Sequence, residues 1–189
     1  MIMSMYKRIC VTNRKLVSGD FLEQITQAIE SGCDAVILRE KDLEEKEYEQ
    51  LAGQVLAICK RHFIPCMLHT YTQVADHLGA DALHLSYEAF LQLQGEQRMH
   101  FTIQGVSVHS VQEAVTAYQA GATYLTAGHI FATDCKKNVP PRGLGFLRSV
   151  CEAVPIPVYA IGGILPDHAV ECMQVGAAGV CMMSYYMHC

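Results

Sequence analysis

Two hydrophobic periods alternate along the chain. Stretches in which apolar residues recur every three or four positions, the mark of a helix with one buried face, are followed by short uninterrupted apolar runs that suit strands buried on both sides. Phe21, Ile25, Ala28 and Ile29 form one stripe, opened by Asp20 and Glu23 in a capping-box spacing. Tyr48, Leu51, Val55 and Ile58 form a second, and Val111, Ala114, Val115 and Tyr118 a third, introduced by Ser110 with Glu113 three residues on. Between stripe and run a junction recurs: SGCDAVILR at Ser31, LGADALHLS at Leu78, AGATYLTAG at Ala120 and VGAAGVCMM at Val175. Each carries a glycine able to stop a helix in the left-handed conformation. Gly32, Gly79, Gly121 and Gly176 stand 47, 42 and 55 residues apart, about two strand-plus-helix units, so four marked junctions imply eight strands.

The unmarked strands fall where that repeat needs them, at Lys7 to Thr12, Pro65 to Leu68, Ile103 to Ser107 and Val158 to Ile161. Strict alternation of buried strand and helix predicts a parallel sheet, and eight units close it into an α/β (β/α)8 TIM barrel. An open doubly wound sheet is the rival; the first unit lacks the GxGxxG that would favour it. With 189 residues, 51% hydrophobic and 17% charged, the chain is expected to form one domain over residues 1–189.

Composition narrows the partners. A formal charge of -5 with scattered basic residues argues against nucleic acid. No long apolar run predicts a membrane span, and MIMSMYKRICV lacks the form of a secretory signal, so a cytoplasmic location is expected. The nine cysteines then read as reduced thiols. Cys59, His62, Cys66 and His69 have zinc-like intervals, but the first two end a helical pattern and the last two belong to a strand, so no metal site is expected there.

A barrel places its chemistry in the loops after the strands, with phosphate commonly held after strands seven and eight. After strand seven comes AIGGILPDHA, where Gly162 and Gly163 would let backbone amides approach an anion and Pro166 suits the first turn of a helix. After strand eight come Met183 and Ser184. Paired glycines also make tight turns; it is their occurrence at both favoured positions that points to phosphate. Strand two ends in LREKD, and alternation turns Arg39 and Lys41 one way and Glu40 the other. Two cations facing a cavity suggest an anionic substrate, although Asp42, Glu44 and Glu45 allow Lys41 to belong to a solvated cluster instead. Strand six runs from Tyr124 to about Ala127, so His129 stands at its tip, before a long polar loop. Imidazole both takes and returns a proton near neutral pH, which makes His129 the candidate acid/base. His109 also reaches that rim, whereas His84, inside strand four, reads as a core histidine.

In chain order LREK, GVSVHS, GHIFATDCKK, AIGGI and GVCMMS resemble the family of thiamin phosphate synthase and the TenI proteins, over nearly the whole length. In the synthases the strand-six motif typically reads GPxFxTxTK; His129 stands at its proline, as in TenI, a thiazole tautomerase. The resemblance implies that Arg39, Lys41, Thr133 and Lys136 contact a phosphorylated anion. It also implies a departure. Synthases hold Mg²⁺ through aspartates in an Asn-Asp pair after strand three and a Gly-Gln-Glu-Asp motif after strand four. Here those stretches read His69-Thr70 and Ser86-Tyr87-Glu88-Ala89, and Thr70 and Ala89 offer no charged oxygen.

The expected activity is therefore a metal-free and cofactor-free isomerisation, in which a dearomatised thiazole carboxylate phosphate becomes aromatic by a proton shift. His129 is its acid/base, and Gly162, Gly163, Met183 and Ser184 hold its phosphate. Two readings stay open beside it, a synthase-like transferase and a non-catalytic thiazole phosphate-binding regulator. The sequence stops at Cys189, soon after strand eight, where the family usually continues into a final helix. With that helix missing or truncated, the seam between strands eight and one is expected to be covered by neighbouring helices or by another subunit, hence a homo-oligomer.

Overall fold

Eight parallel strands close on themselves in sequence order: β1 (Lys7–Val11), β2 (Ala35–Leu38), β3 (Cys66–His69), β4 (Ala82–Ser86), β5 (Ile103–Val108), β6 (Tyr124–Gly128), β7 (Val158–Ile161) and β8 (Gly179–Met182). The structure is a computed structural model and describes residues 7–93, 95–133 and 139–188. β8 pairs with β1 through Lys7–Gly179 to Cys10–Met182, and this last ladder makes the sheet a barrel with no open edge. The helices run between the strands: α1 (Phe21–Glu30), α2 (Glu45–Arg61), α3 (Thr72–His77), α4 (Tyr87–Gln92), α5 (Gly95–Met99), α6 (Val111–Gln119), α7 (Gly143–Ala153) and α8 (Ala169–Gln174), with one turn, α9 (Ser184–Met187), after β8. The chain is thus a (β/α)8 barrel.

The predicted helix signals do their expected work. The Asp20 carboxylate accepts from the Glu23 amide and the Ser110 hydroxyl from the Glu113 amide, each satisfying a donor that the first turn leaves without a partner. The four junction glycines have φ between 64° and 105°, a region costly for any residue with a Cβ. The third stripe is corrected. α6 buries Ala114 and Ala117, while Val111 and Tyr118 lie exposed, because small side chains let this helix sit close to the barrel.

Alternation divides the core in two. Cys10, Val36, Leu38, Leu68, Leu85 and Leu125 point outward and pack under the helices. Ile9, Val11, Ala35, Ile37, Met67, Ala82, Tyr124, Tyr159 and Cys181 point inward and fill the barrel interior. The seam between β8 and β1 has a short plug. In α9, Tyr186 and Met187 are buried, and the Tyr186 carbonyl accepts from the Gln24 side chain of α1 at 2.7 Å. The single turn of α9 therefore covers part of the seam. No helix among the described residues is long and apolar enough to cross a membrane.

Candidate active site

The inward-facing positions that follow the buried interior layer form the floor of a cavity of about 460 Å³ at the carboxyl ends of the strands. Counting in twos from Ile37 reaches Arg39 and Lys41; from Met67, His69; from Ala82, His84 and Ser86; from Tyr124, Thr126 and Gly128; all of them line it. Glu40, of opposite parity, is buried away from the cavity. It accepts from the Thr12 hydroxyl at 2.7 Å and from the Arg14 amide, tying the end of β2 to the short turn after β1. The predicted split of Arg39 and Lys41 from Glu40 is therefore the geometry observed.

His129 is buried and lines the same cavity. Its backbone is held on both sides, since the Ile130 amide donates to the Ile161 carbonyl and the Arg142 amide to the His129 carbonyl. The imidazole Nε2 lies 3.1 Å from the Val139 carbonyl, which can only accept, so Nε2 carries the proton and Nδ1 is the basic nitrogen. Gly162, Gly163, Met183, Ser184 and Thr133 also line the cavity. Lys136 lies outside the described residues. Gly162 and Gly163 have a steric duty besides any anion contact. A Cβ on Gly162 would collide with the His129 Cβ, and one on Gly163 with the Ala132 carbonyl oxygen.

Of the titratable floor residues, two did not enter the predicted site. His69 lies outside it as a strand-end residue, and His84, read as a core histidine, is buried, hydrogen-bonded at both ring nitrogens and borders the cavity. His84 Nδ1 meets the Tyr124 hydroxyl at 2.7 Å and Nε2 the Ser107 hydroxyl at 2.8 Å. The period-two pattern would have found both, because each stands two residues beyond an inward apolar side chain. Burial depresses the His69 pKa to about 2, helped by His84, Lys41 and Arg39; burial first and then Arg39 depress that of His84 to about 3. Both rings are thus neutral in a cavity whose fixed charges are cationic.

This has a measurable consequence for folding. The unfolded chain protonates such histidines near pH 6.5, while the folded chain resists protonation until about pH 3 for His84 and about pH 2 for His69. Across that window the unfolded state binds more protons, so stability rises with pH. We expect urea-unfolding free energy to fall on acidification below pH 6.5 by about 1.4 kcal/mol per pH unit for each imidazole. His84→Gln should flatten that slope, and an unchanged slope would contradict buried neutrality.

The donor set does not suit magnesium. A hard divalent cation needs several oxygen ligands, usually with carboxylates among them. Among the described residues the cavity is lined by no carboxylate; the positions where the synthases place aspartates carry Thr70 and Ala89, and Glu88 is exposed on α4 and does not line the cavity. Thr70 instead places its hydroxyl 2.5 Å from His69 Nδ1. No group of three or more histidine, cysteine, aspartate or glutamate side chains among the described residues could hold a metal, the zinc-like set of Cys59, His62, Cys66 and His69 included.

A closed barrel that gathers cations, imidazoles and hydroxyls at the carboxyl ends of its strands has the layout of a barrel enzyme. Residues 9–185 match the thiamine monophosphate synthase family, TMP-TENI, and the chain belongs to that family. It is 32% identical over 185 residues to a putative thiamine-phosphate synthase 2 of Aquifex aeolicus, covering 98% of this chain and 100% of that protein. To thiamine-phosphate synthase 2 of Streptococcus pneumoniae it is 34% identical over 179 residues, covering 92% and 83%. A solved thiamine phosphate pyrophosphorylase from Pyrococcus furiosus superposes with a TM-score of 0.82 at 29% identity, covering 97% of this chain and 88% of that one. These relatives are named for the synthase reaction. The likeness of GHIFATDCKK to TenI is supported at the level of the family, and the names favour the transferase.

Proposed function

We propose that the cavity binds a phosphorylated thiazole carboxylate and catalyses its aromatising proton shift. The observation that carries this reading is the donor set: two cations and neutral imidazoles, with His129 at the end of β6, in a cavity that among the described residues has no carboxylate for magnesium. Such a wall suits an anion and a proton transfer and repels a divalent cation. The amides at Gly162, Gly163 and Ser184, with Met183 beside them, hold the phosphate. Arg39 and Lys41 face the carboxylate, and Thr133, in the loop after β6, is a further contact to the anion; Lys136 lies outside the described residues. His129 Nδ1 takes the ring proton, and the acid so formed returns a proton to the exocyclic carbon. Aromaticity of the product supplies the driving force, so the protein has to position and to shuttle. The same chemistry needs no partner chain, and a homo-oligomer belongs to the proposal only as a cover for the seam.

The names of the relatives favour a second reading, a transferase that joins a thiazole phosphate to a pyrimidine diphosphate. One experiment separates the two. Incubated with the dearomatised thiazole carboxylate phosphate and excess EDTA, the protein is expected to abolish the ring-proton NMR signal at a rate that added magnesium leaves within a factor of about two. A magnesium-dependent coupled product from the pyrimidine diphosphate, without aromatisation, would establish the transferase instead.

A further inference from the structure

Beneath His84 the barrel interior holds a hydrogen-bond chain whose direction can be worked out. Tyr124 is the first residue of β6 and points inward; its ring sits where Gly105 of β5 has no Cβ, since a methyl group there would overlap the ring. The ring also meets Tyr159 edge-on, with centroids 5.7 Å apart. Its hydroxyl is buried and has one partner among the described residues, His84 Nδ1 at 2.7 Å. A buried hydroxyl that does not donate loses a hydrogen bond with no water to replace it. Tyr124 therefore donates to Nδ1. His84 is neutral, so its single N–H is on Nε2, which donates to Ser107 Oγ at 2.8 Å.

Thr126 completes the polarity. It is 1% exposed, and its hydroxyl lies 3.1 Å from Ser107 Oγ and 3.4 Å from His84 Nε2. Nε2 carries a hydrogen and cannot accept, so Thr126 also donates to Ser107. Ser107 Oγ then receives two hydrogen bonds, which occupy both of its lone pairs. Its own O–H is left pointing away from both donors, and Ser107 lines the cavity.

We propose that Tyr124 is a positioning residue: acting through His84, it fixes Ser107 as a hydrogen-bond donor toward an acceptor atom of the bound ligand. No proton moves along the chain; only its polarity is set. The identity of the acceptor, a carboxylate oxygen or ring heteroatom of a thiazole, rests on the function proposed above, whereas the polarity does not. Without the phenol hydroxyl, Nδ1 has no donor that fixes it as the acceptor, and Nε2 can either donate to Ser107 or accept from it. Ser107 can then turn its O–H to Nε2 and face the ligand with a lone pair, which repels an anion.

The test has two independent readouts. Long-range ¹H–¹⁵N correlation spectra of the unliganded wild-type protein are expected to show His84 as the Nε2–H tautomer, and Tyr124→Phe to shift its ring nitrogens toward a mixture. An Nδ1–H tautomer in the wild type overturns the proposal, and so does an unshifted tautomer in the variant. Calorimetric binding of the aromatic thiazole carboxylate phosphate is expected to weaken about tenfold in Tyr124→Phe and in Ser107→Ala, as for one lost hydrogen bond to a charged group. The double variant should be no weaker than either single one. Additive losses overturn the coupling. Should Tyr124→Phe fail to fold, the wild-type tautomer and the Ser107→Ala loss still decide. Should the wild type not bind this ligand at all, the proposed function falls, and the tautomer spectra alone decide the polarity.

Discussion

His129→Asn is expected to lower the aromatisation rate by about 10²–10⁴-fold, the span that a positioned acid/base contributes, while product binding changes less than about threefold. Asparagine keeps a compact polar side chain, ends short of the Nε2 that contacts the Val139 carbonyl at 3.1 Å, and presents no nitrogen that is basic at neutral pH. The phosphate contacts assigned to Gly162, Gly163 and Ser184 involve backbone and a hydroxyl, and the substitution leaves them in place. Single-turnover NMR separates the chemical step from binding. A variant that aromatises at the wild-type rate would remove His129 from the mechanism, and one that loses binding in proportion to rate would make it a binding residue.

The second large effect is expected at Gly162. Its φ of +95° is strained for any residue with a Cβ, and that Cβ would overlap the His129 Cβ. Backbone strain and overpacking each cost about 1–3 kcal/mol, so Gly162→Ala should lose about 2–6 kcal/mol in urea unfolding. Because the overlap is relieved by moving His129, turnover per folded molecule should also fall, unlike in a variant strained away from the site. Gly79→Ala supplies that comparison: its φ is +64°, and an added Cβ there meets nothing within 4 Å. It should show the conformational cost alone, with turnover retained once folded. Equal losses at the two positions would mean that the approach of β7 to His129 is not the reason for the glycine.

Comparison of the two glycines also shows how far the chain could be read before it folded. Gly79 is legible locally, since a helical pattern ends at it and a buried strand begins. Gly162 is legible only as a turn or as an anion contact, because what forbids a side chain there is a residue 33 positions earlier, just past the end of the neighbouring strand. The strands themselves emerged within one or two residues of their observed ends, since two-sided burial leaves uninterrupted apolar runs. The stripe of α6 held at Ala114 and Val115 but not at Val111 and Tyr118, because large apolar residues signal a buried face more strongly than a small one such as Ala117, which in fact packs.

The site divides along the same line. Alternation is a property of the strand, so the common direction of Arg39 and Lys41, and the opposite one of Glu40, followed from the sequence by itself, as did the closed barrel and the position of His129 at the tip of β6. Which hydroxyl faces which imidazole did not. Tyr124, His84, Ser107 and Thr126 come from three strands and meet only because β4, β5 and β6 are neighbours in one register. Their neutrality depends on burial, which exists only once the barrel has closed. The chain thus determined its periodicity, and with it the barrel and the residues aimed inward; tertiary structure alone decided contacts between strands and the charge states they impose, since both arise from distances that no local pattern encodes.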